Sequence, residues 1–181
     1  MSLSSDAFKP EGDIPLRHAQ KPFRVTVQGG SVVCPGTAAG KENLSPPFKW
    51  ANVPPTAKSL ALIMVDDIRF VYPNAPVGTV FPHWSVFNIP PTANGLPEGV
   101  SPESPLPDGS VQGKNGYSSP YDKGYGGPCP PERERHLYIF TLYALDTKLA
   151  LAPGSTYTAI VAAMKDHILA KAELKTYYTG Q

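Results

Sequence analysis

Hydrophobic and polar residues alternate with a period of two along several short stretches of this chain, the pattern of strands that bury one face. Phe23–Gln28 sets Phe, Val and Val against Arg, Thr and Gln. Leu60–Val65 is apolar on both faces and predicts a central strand. Trp84–Ile89 and Leu137–Leu145 are rich in the aromatic and β-branched residues that suit a pleated, packed surface. Lys171–Tyr178 alternates again near the end of the chain. One helix is predicted just before it, where Tyr157, Ile160, Val161, Met164 and Ile168 form an apolar stripe at helical spacing and Gly154-Ser155 supplies the N-cap. Strands followed by a single late helix that returns to a strand predict a mainly β fold, a two-sheet antiparallel sandwich.

The stretch from Pro90 to Pro131 breaks the pattern. It is rich in Pro, Gly, Ser and Asn and holds only short candidate elements such as Ser110–Gly113. Connections without structure beyond roughly 15 residues are uncommon in compact domains and are usually functional or disordered. Tyr117, Tyr121 and Tyr125 interleave its turns, which favours a loop packed on the body.

Composition narrows the choice. The 181 residues fit one domain of ordinary size, and 41% hydrophobic content is enough for a core. The 22 prolines argue against a helical bundle and for strands joined by turns. A net charge of +1 leaves no nucleic-acid footprint. No apolar run approaches the ~20 residues of a membrane-spanning helix. The opening Met1-Ser2-Leu3-Ser4-Ser5-Asp6 does not read as a signal peptide. Residues 1–7 are expected to be flexible, either a native cytoplasmic start or an artificial one standing in for a removed leader.

Candidate chemistry gathers at two histidine segments, Pro82-His83-Trp84 and Arg135-His136-Leu137-Tyr138, each at the border of an alternating run. Such positions place imidazoles at the rim of a sheet. Together with the proline-walled Gly126-Gly127-Pro128-Cys129-Pro130-Pro131, they outline a small polar pocket for an anion or a metal.

An ordered set of segments carries a resemblance. It runs from Asn43-Leu44-Ser45-Pro46-Pro47-Phe48-Lys49-Trp50 and Val53-Pro54-Pro55 through Asp66 and Asn74-Ala75-Pro76-Val77-Gly78. It continues with His83-Trp84-Ser85-Val86-Phe87-Asn88-Ile89-Pro90, Leu96-Pro97-Glu98-Gly99, Gly124–Pro131 and His136-Leu137-Tyr138-Ile139-Phe140-Thr141. In this order, from about Phe8 to Thr179, the chain resembles the phosphatidylethanolamine-binding protein family, in its bacterial Raf kinase inhibitor-like branch. The resemblance implies one β-sandwich domain over residues 1–181, with a cavity for phosphate or a phospholipid headgroup and no cofactor. Its binding residues would be Asp66, His83, Pro130, Pro131, His136 and Tyr138. Two imidazoles, a phenol and backbone N–H groups would supply donors to the anion, while Asp66 fixes one imidazole or accepts from an ammonium. Family members that inhibit a kinase or protease imply a second role for the same region, with a protein target as partner.

The chain departs from the family pattern in two places. The compact acidic segment is opened by an inserted run, Asp67–Tyr72, which either covers the pocket or packs beside it. Leu137 stands where an arginine is common, so weaker anion binding is expected, with the imidazoles carrying more of it. Asn43-Leu44-Ser45 reads as a glycosylation sequon, but Pro46 follows it and the resemblance makes it a structural turn. His18 and His167 are expected to be structural, His167 as a core-edge side chain on the late helix.

Cys34 and Cys129 fall where exported members of this branch carry cysteine. The resemblance therefore implies either a Cys34–Cys129 disulfide in a periplasmic or exported protein or, for a cytoplasmic one, two reduced thiols. Against a metal-dependent enzyme built on Asp66, His83 and His136, no tight ligand motif is present. No G-x-S-x-G elbow or phosphate-cradling glycine loop exists either. A binding protein is the expected class, with no metal.

Overall fold

The computed structural model describes residues 1–27, 30–36 and 38–181. Its largest unit is a five-stranded antiparallel sheet in the order β10-β9-β5-β6-β8. These strands are β5 (Ser59–Asp67), β6 (Val80–Ile89), β8 (Val111–Gln112), β9 (Arg135–Leu145) and β10 (Ile168–Thr179). A three-stranded sheet, β1 (Ser2–Ser4), β4 (Phe48–Ala51) and β7 (Gly95–Leu96), closes the sandwich, and β2 (Phe23–Val27) pairs with β3 (Gly30–Cys34) as a separate hairpin. The mainly β, antiparallel expectation holds.

The alternation explains the layers. Leu60, Leu62 and Met64 of β5 share a core with Phe48, Trp50, Trp84, Phe140 and Leu142, and the Phe48 and Phe140 rings lie 4.8 Å apart across the sheets. Ala61 and Ile63, on the opposite face of β5, pack with Phe87, Leu145, Ile160 and Met164. The helix α2 (Tyr157–Met164) therefore covers the outer face, and β5 is apolar on both sides because both sides are buried.

Several expectations need correction. Residues 1–7 are not a loose leader: Ser2–Ser4 pair with Lys49–Ala51, and Leu3 is buried. The N-cap of α2 is Thr156, whose hydroxyl accepts from the Ala159 N–H, not Gly154-Ser155. The helix ends at Met164 because Lys165 turns to an extended ψ of 136° and Asp166 takes φ +66°, closing a turn from Met164 to His167, so Ile168 begins β10 instead of extending the stripe. Val161 and Ile168 are accordingly exposed. His167 lies beyond the helix, where its Nδ1 meets Asp146 Oδ1 at 2.8 Å on the surface. The first predicted strand stops at Val27, and Gln28 lies outside the described residues. Ser110–Gly113 contributes only the two-residue β8.

Cys34 and Cys129 are bonded, with Cα atoms 5.7 Å apart, which ties the β2–β3 hairpin to the long loop. Tyr125 of that loop is buried and donates its hydroxyl to the His18 carbonyl at 2.9 Å, as expected of a packed loop. Asn43 adopts φ +58° and serves as a structural turn. Its side chain accepts from the Gly127 N–H at 2.7 Å and donates to the Tyr125 carbonyl.

Candidate functional site

The sheet brings four polar side chains to one end of its inner face. Asp66 is directly opposite Tyr138 in the β5–β9 register, and His136, two residues earlier on β9, shares that face as a diagonal neighbour. His136 Nδ1 lies 2.6 Å from Asp66 Oδ2, and both side chains are 7% exposed. Across β9 the partner of His136 is Tyr178 of β10.

His83 reaches this face through a bulge. Met64 pairs with Trp84 and Val65 with Pro82, so His83 is an extra residue in β6 with no partner on β5. A bulge turns consecutive side chains toward one side of the sheet. Trp84 thus enters the core while the His83 ring packs 5.2 Å from Tyr138 and 5.6 Å from Tyr117.

The two imidazoles are chemically unlike. His83 Nδ1 is 2.6 Å from the Gly126 carbonyl, and a carbonyl only accepts, so Nδ1 carries the proton. Burial pushes the His83 pKa down, against smaller opposing effects of Asp66 and the Gly126–Gly127 backbone. The ring is therefore neutral, with an accepting Nε2. At His136, burial also acts downward, but the hydrogen bond and charge of Asp66, with help from Glu134, outweigh it and raise the pKa. Its Nε2 sits 3.4 Å from Glu134 Oε2, so both ring nitrogens face carboxylates, which favours the protonated ring. The two rings thus differ: His83 presents Nε2 as an acceptor, whereas His136 is biased toward its charged, donating form.

The Tyr138 and Tyr178 hydroxyls and Asp66 Oδ1 are buried and have no hydrogen-bond partner among the described residues. Burial pushes the Tyr138 phenol well up, and the Asp66 charge adds to this, so it is a neutral donor. Tyr117 donates to the Gly127 carbonyl at 2.8 Å and walls the cluster. Gly127 runs against the His18 carbonyl and Gln20 amide so closely that a Cβ would collide with them. Pro130 is buried, whereas Pro131 is exposed and its carbonyl accepts from the Glu134 N–H.

The inserted run folds as one helical turn, α1 (Ile68–Val71), capped by Asp67. Phe70 packs 5.6 Å from Tyr177, and Tyr177 carries the Arg135 guanidinium 4.0 Å from its centroid. The insert thus has a packing partner on β10. His18 is buried, with Nδ1 on the Leu44 carbonyl, and is structural. Among the described residues, no group of three His, Cys, Asp or Glu is arranged to hold a metal. Two open clefts lie elsewhere and share Lys114 as a wall. One of about 370 Å³ runs between Glu103, Lys123 and Gly154, and one of about 450 Å³ between Thr79, Asn115 and Tyr157.

Of the residues the sequence singled out, the fold brings Asp66, His83, His136 and Tyr138 together. Beside them it places Tyr178, Tyr117 and Glu134, which the sequence reading did not name for the site. Parity on β10 was a usable signal for Tyr178, since Leu174, Thr176 and Tyr178 all face inward.

The sequence profile described as phosphatidylethanolamine-binding protein matches residues 4–179. A UPF0098 protein of Methanothermobacter thermautotrophicus is 43% identical over 178 residues, 98% of each chain. The crystal structure of Escherichia coli YbcL, a new member of the mammalian PEBP family, superposes with a TM-score of 0.76 at 29% identity, covering 99% of this chain and 98% of that one. A phosphatidylethanolamine-binding protein homologue of Chlamydia trachomatis, CT736, gives 0.72 at 31% identity over 99% and 97%. The chain belongs to the phosphatidylethanolamine-binding protein family.

Proposed function

We propose that this chain is a non-catalytic binding protein whose cluster of Asp66, His83, His136 and Tyr138 takes a phosphate group, free or as part of a phospholipid headgroup. The observation that carries the reading is the buried Asp66–His136 pair. It holds the imidazole in one orientation and favours its charged form, so that Nε2–H, beside Glu134 Oε2 at 3.4 Å, can turn to a ligand oxygen once that side chain moves away. The unpartnered Tyr138 hydroxyl supports the reading, since a buried hydroxyl without a partner is destabilising until something accepts from it. His83 Nε2 can accept from a protonated phosphate oxygen or an ammonium group. Pro130 adds a rigid wall without an N–H.

Thermal melts with phosphoethanolamine and with glycerophosphoethanolamine test this, comparing wild type with His136→Ala. Ligand at about 100 times its dissociation constant stabilises the native state by roughly 2.7 kcal/mol. A melting shift in wild type alone is expected. No shift in either protein removes the phosphate reading and directs attention to a protein target.

The Cys34–Cys129 bridge supports a periplasmic or exported location. Thiol trapping in intact cells checks this, because free Cys34 and Cys129 in the native host would exclude an oxidising compartment.

A further inference from the structure

His136 meets a carboxylate at each end of its ring, and the two are held in different ways. Asp66 belongs to a strand and is buried. Glu134 hangs from a turn, and its side chain is 38% exposed. Its backbone is fixed on both sides: its N–H donates to the Pro131 carbonyl at 3.1 Å, and its carbonyl accepts from the Gly180 N–H at 2.9 Å. The Arg133 N–H completes the clamp on the Gly180 carbonyl at 2.9 Å. The backbone therefore stays while the Glu134 side chain alone is free to swing.

The position of that carboxylate matters because His136 has only two protons to offer. Nδ1–H belongs to Asp66, so Nε2–H is the one a ligand anion can take. Glu134 Oε2 already sits there at 3.4 Å. Neither of the two clefts described above is lined by Asp66, His83, His136 or Tyr138.

We propose that Glu134 is a specificity-determining residue of this site: its carboxylate occupies the place of a bound anion on His136 Nε2, so a phosphate must displace it, and dianions are disfavoured against monoanions. The inference rests on the phosphate-pocket reading above.

The selectivity follows from two effects. A ligand that binds only the open form has its affinity reduced by the open fraction, and a partly exposed ion pair favours its closed form by up to roughly fivefold. After displacement, Glu134 remains tethered nearby, and its repulsion grows with the charge of the ligand. A phosphate monoester carries nearly two negative charges at neutral pH, whereas a diester carries one. Glu134 thus turns the site away from free phosphate and simple monoesters and toward diesters, the form phosphate takes in a lipid headgroup. The other cation near the rim, Arg135, is paired with Asp13 at 3.1 Å and lies over Tyr177, so it does little to offset this.

The test is an NMR titration of the histidine ring protons at pH 7 with methyl phosphate and with dimethyl phosphate, on wild type, Glu134→Gln and Glu134→Ala. Glu134 is a surface turn residue, so both variants should fold. Methyl phosphate is expected to bind both variants about fivefold or more tightly than wild type. Dimethyl phosphate should gain less, and the His136 pKa should fall in both variants while Asp66 keeps it raised. Equal or weaker methyl phosphate binding in the variants overturns the role of Glu134 and leaves the pocket standing. An equal gain for both esters overturns the charge selectivity. Absence of binding by either ester to all three proteins overturns the pocket reading and this proposal with it.

Discussion

His83 and Gly126 clasp each other. The Gly126 N–H donates to the His83 carbonyl at 2.9 Å, and the His83 Nδ1–H donates to the Gly126 carbonyl at 2.6 Å. This reciprocal pair fixes the tautomer of the buried imidazole and anchors the long loop to the bulge of β6. The accepting Nε2 of His83 is therefore written into the backbone of the loop.

Opposite pH dependences are expected from the two histidines. His83 has a lowered folded pKa, so the unfolded state binds the extra proton first as pH falls below ~6.5. Its stabilising contribution is complete above that pH and is lost on acidification toward the folded pKa. His136 has a raised folded pKa, so its contribution is complete below ~6.5 and is lost as pH rises through the folded value. Melting temperatures from pH 5 to 9 should show His83→Gln flattening part of the acid limb, the rest belonging to His18, whose pKa burial also lowers. His136→Gln should flatten the alkaline limb. Unchanged limbs in both variants would contradict these protonation states.

Asp66→Asn should destabilise the fold by about 2 kcal/mol at pH 6, the scale of a lost hydrogen bond to a charged group. The deficit should shrink above the His136 pKa, where the wild-type pair no longer carries an imidazolium. Urea denaturation at pH 6 and pH 9 measures both. A deficit that grows with pH would mean that Asp66 stabilises something other than the His136 cation.

Tyr138→Phe separates stability from binding. The hydroxyl is buried without a partner, and such a group is unfavourable by about 1–3 kcal/mol, so its removal should leave stability unchanged or raised by up to ~1 kcal/mol. Phosphate affinity should fall in the same protein. Denaturation and a phosphate titration on one preparation suffice. A variant that loses stability and keeps affinity would assign Tyr138 to packing alone.

Breaking the bridge should destabilise the fold by roughly 3 kcal/mol, within the range for a long closed loop. The bonded cysteines are 95 residues apart in sequence. The denaturation midpoint of wild type should drop on reduction and match that of a Cys34→Ser, Cys129→Ser double variant. A midpoint indifferent to reductant would sink this expectation.

Much of the framework was legible because it rests on local parity. Leu60–Val65 and Leu137–Leu145 pack apolar residues at strand spacing, and the strands of the structure contain both runs. Asp66 and His136 stand next to strand ends and His83 lies inside β6, which begins at Val80, earlier than the alternating run suggests, but all three sit in recognisable motifs, so their convergence could be anticipated. What was not legible depends on single backbone angles and on turns. The extended ψ of Lys165 and the +66° φ of Asp166 end the α2 stripe early, which periodicity does not register. Glu134 reaches His136 only because the chain turns at Pro131–Glu134 and pairs with Gly180. The unlike protonation of the two histidines follows from a carbonyl near one and carboxylates near the other, and spacing along the chain carries no trace of either.

The β6 bulge places the neutral histidine outside the ladder of the sheet. Trp84 and Pro82 already satisfy the register against Met64 and Val65. His83 is thus a surplus residue whose ring faces Tyr138 and Tyr117. A chain shortened by His83 alone could keep every rung between β5 and β6 while losing its acceptor imidazole, so the chemistry of the cluster can be changed here by the length of a strand without touching the composition of the core.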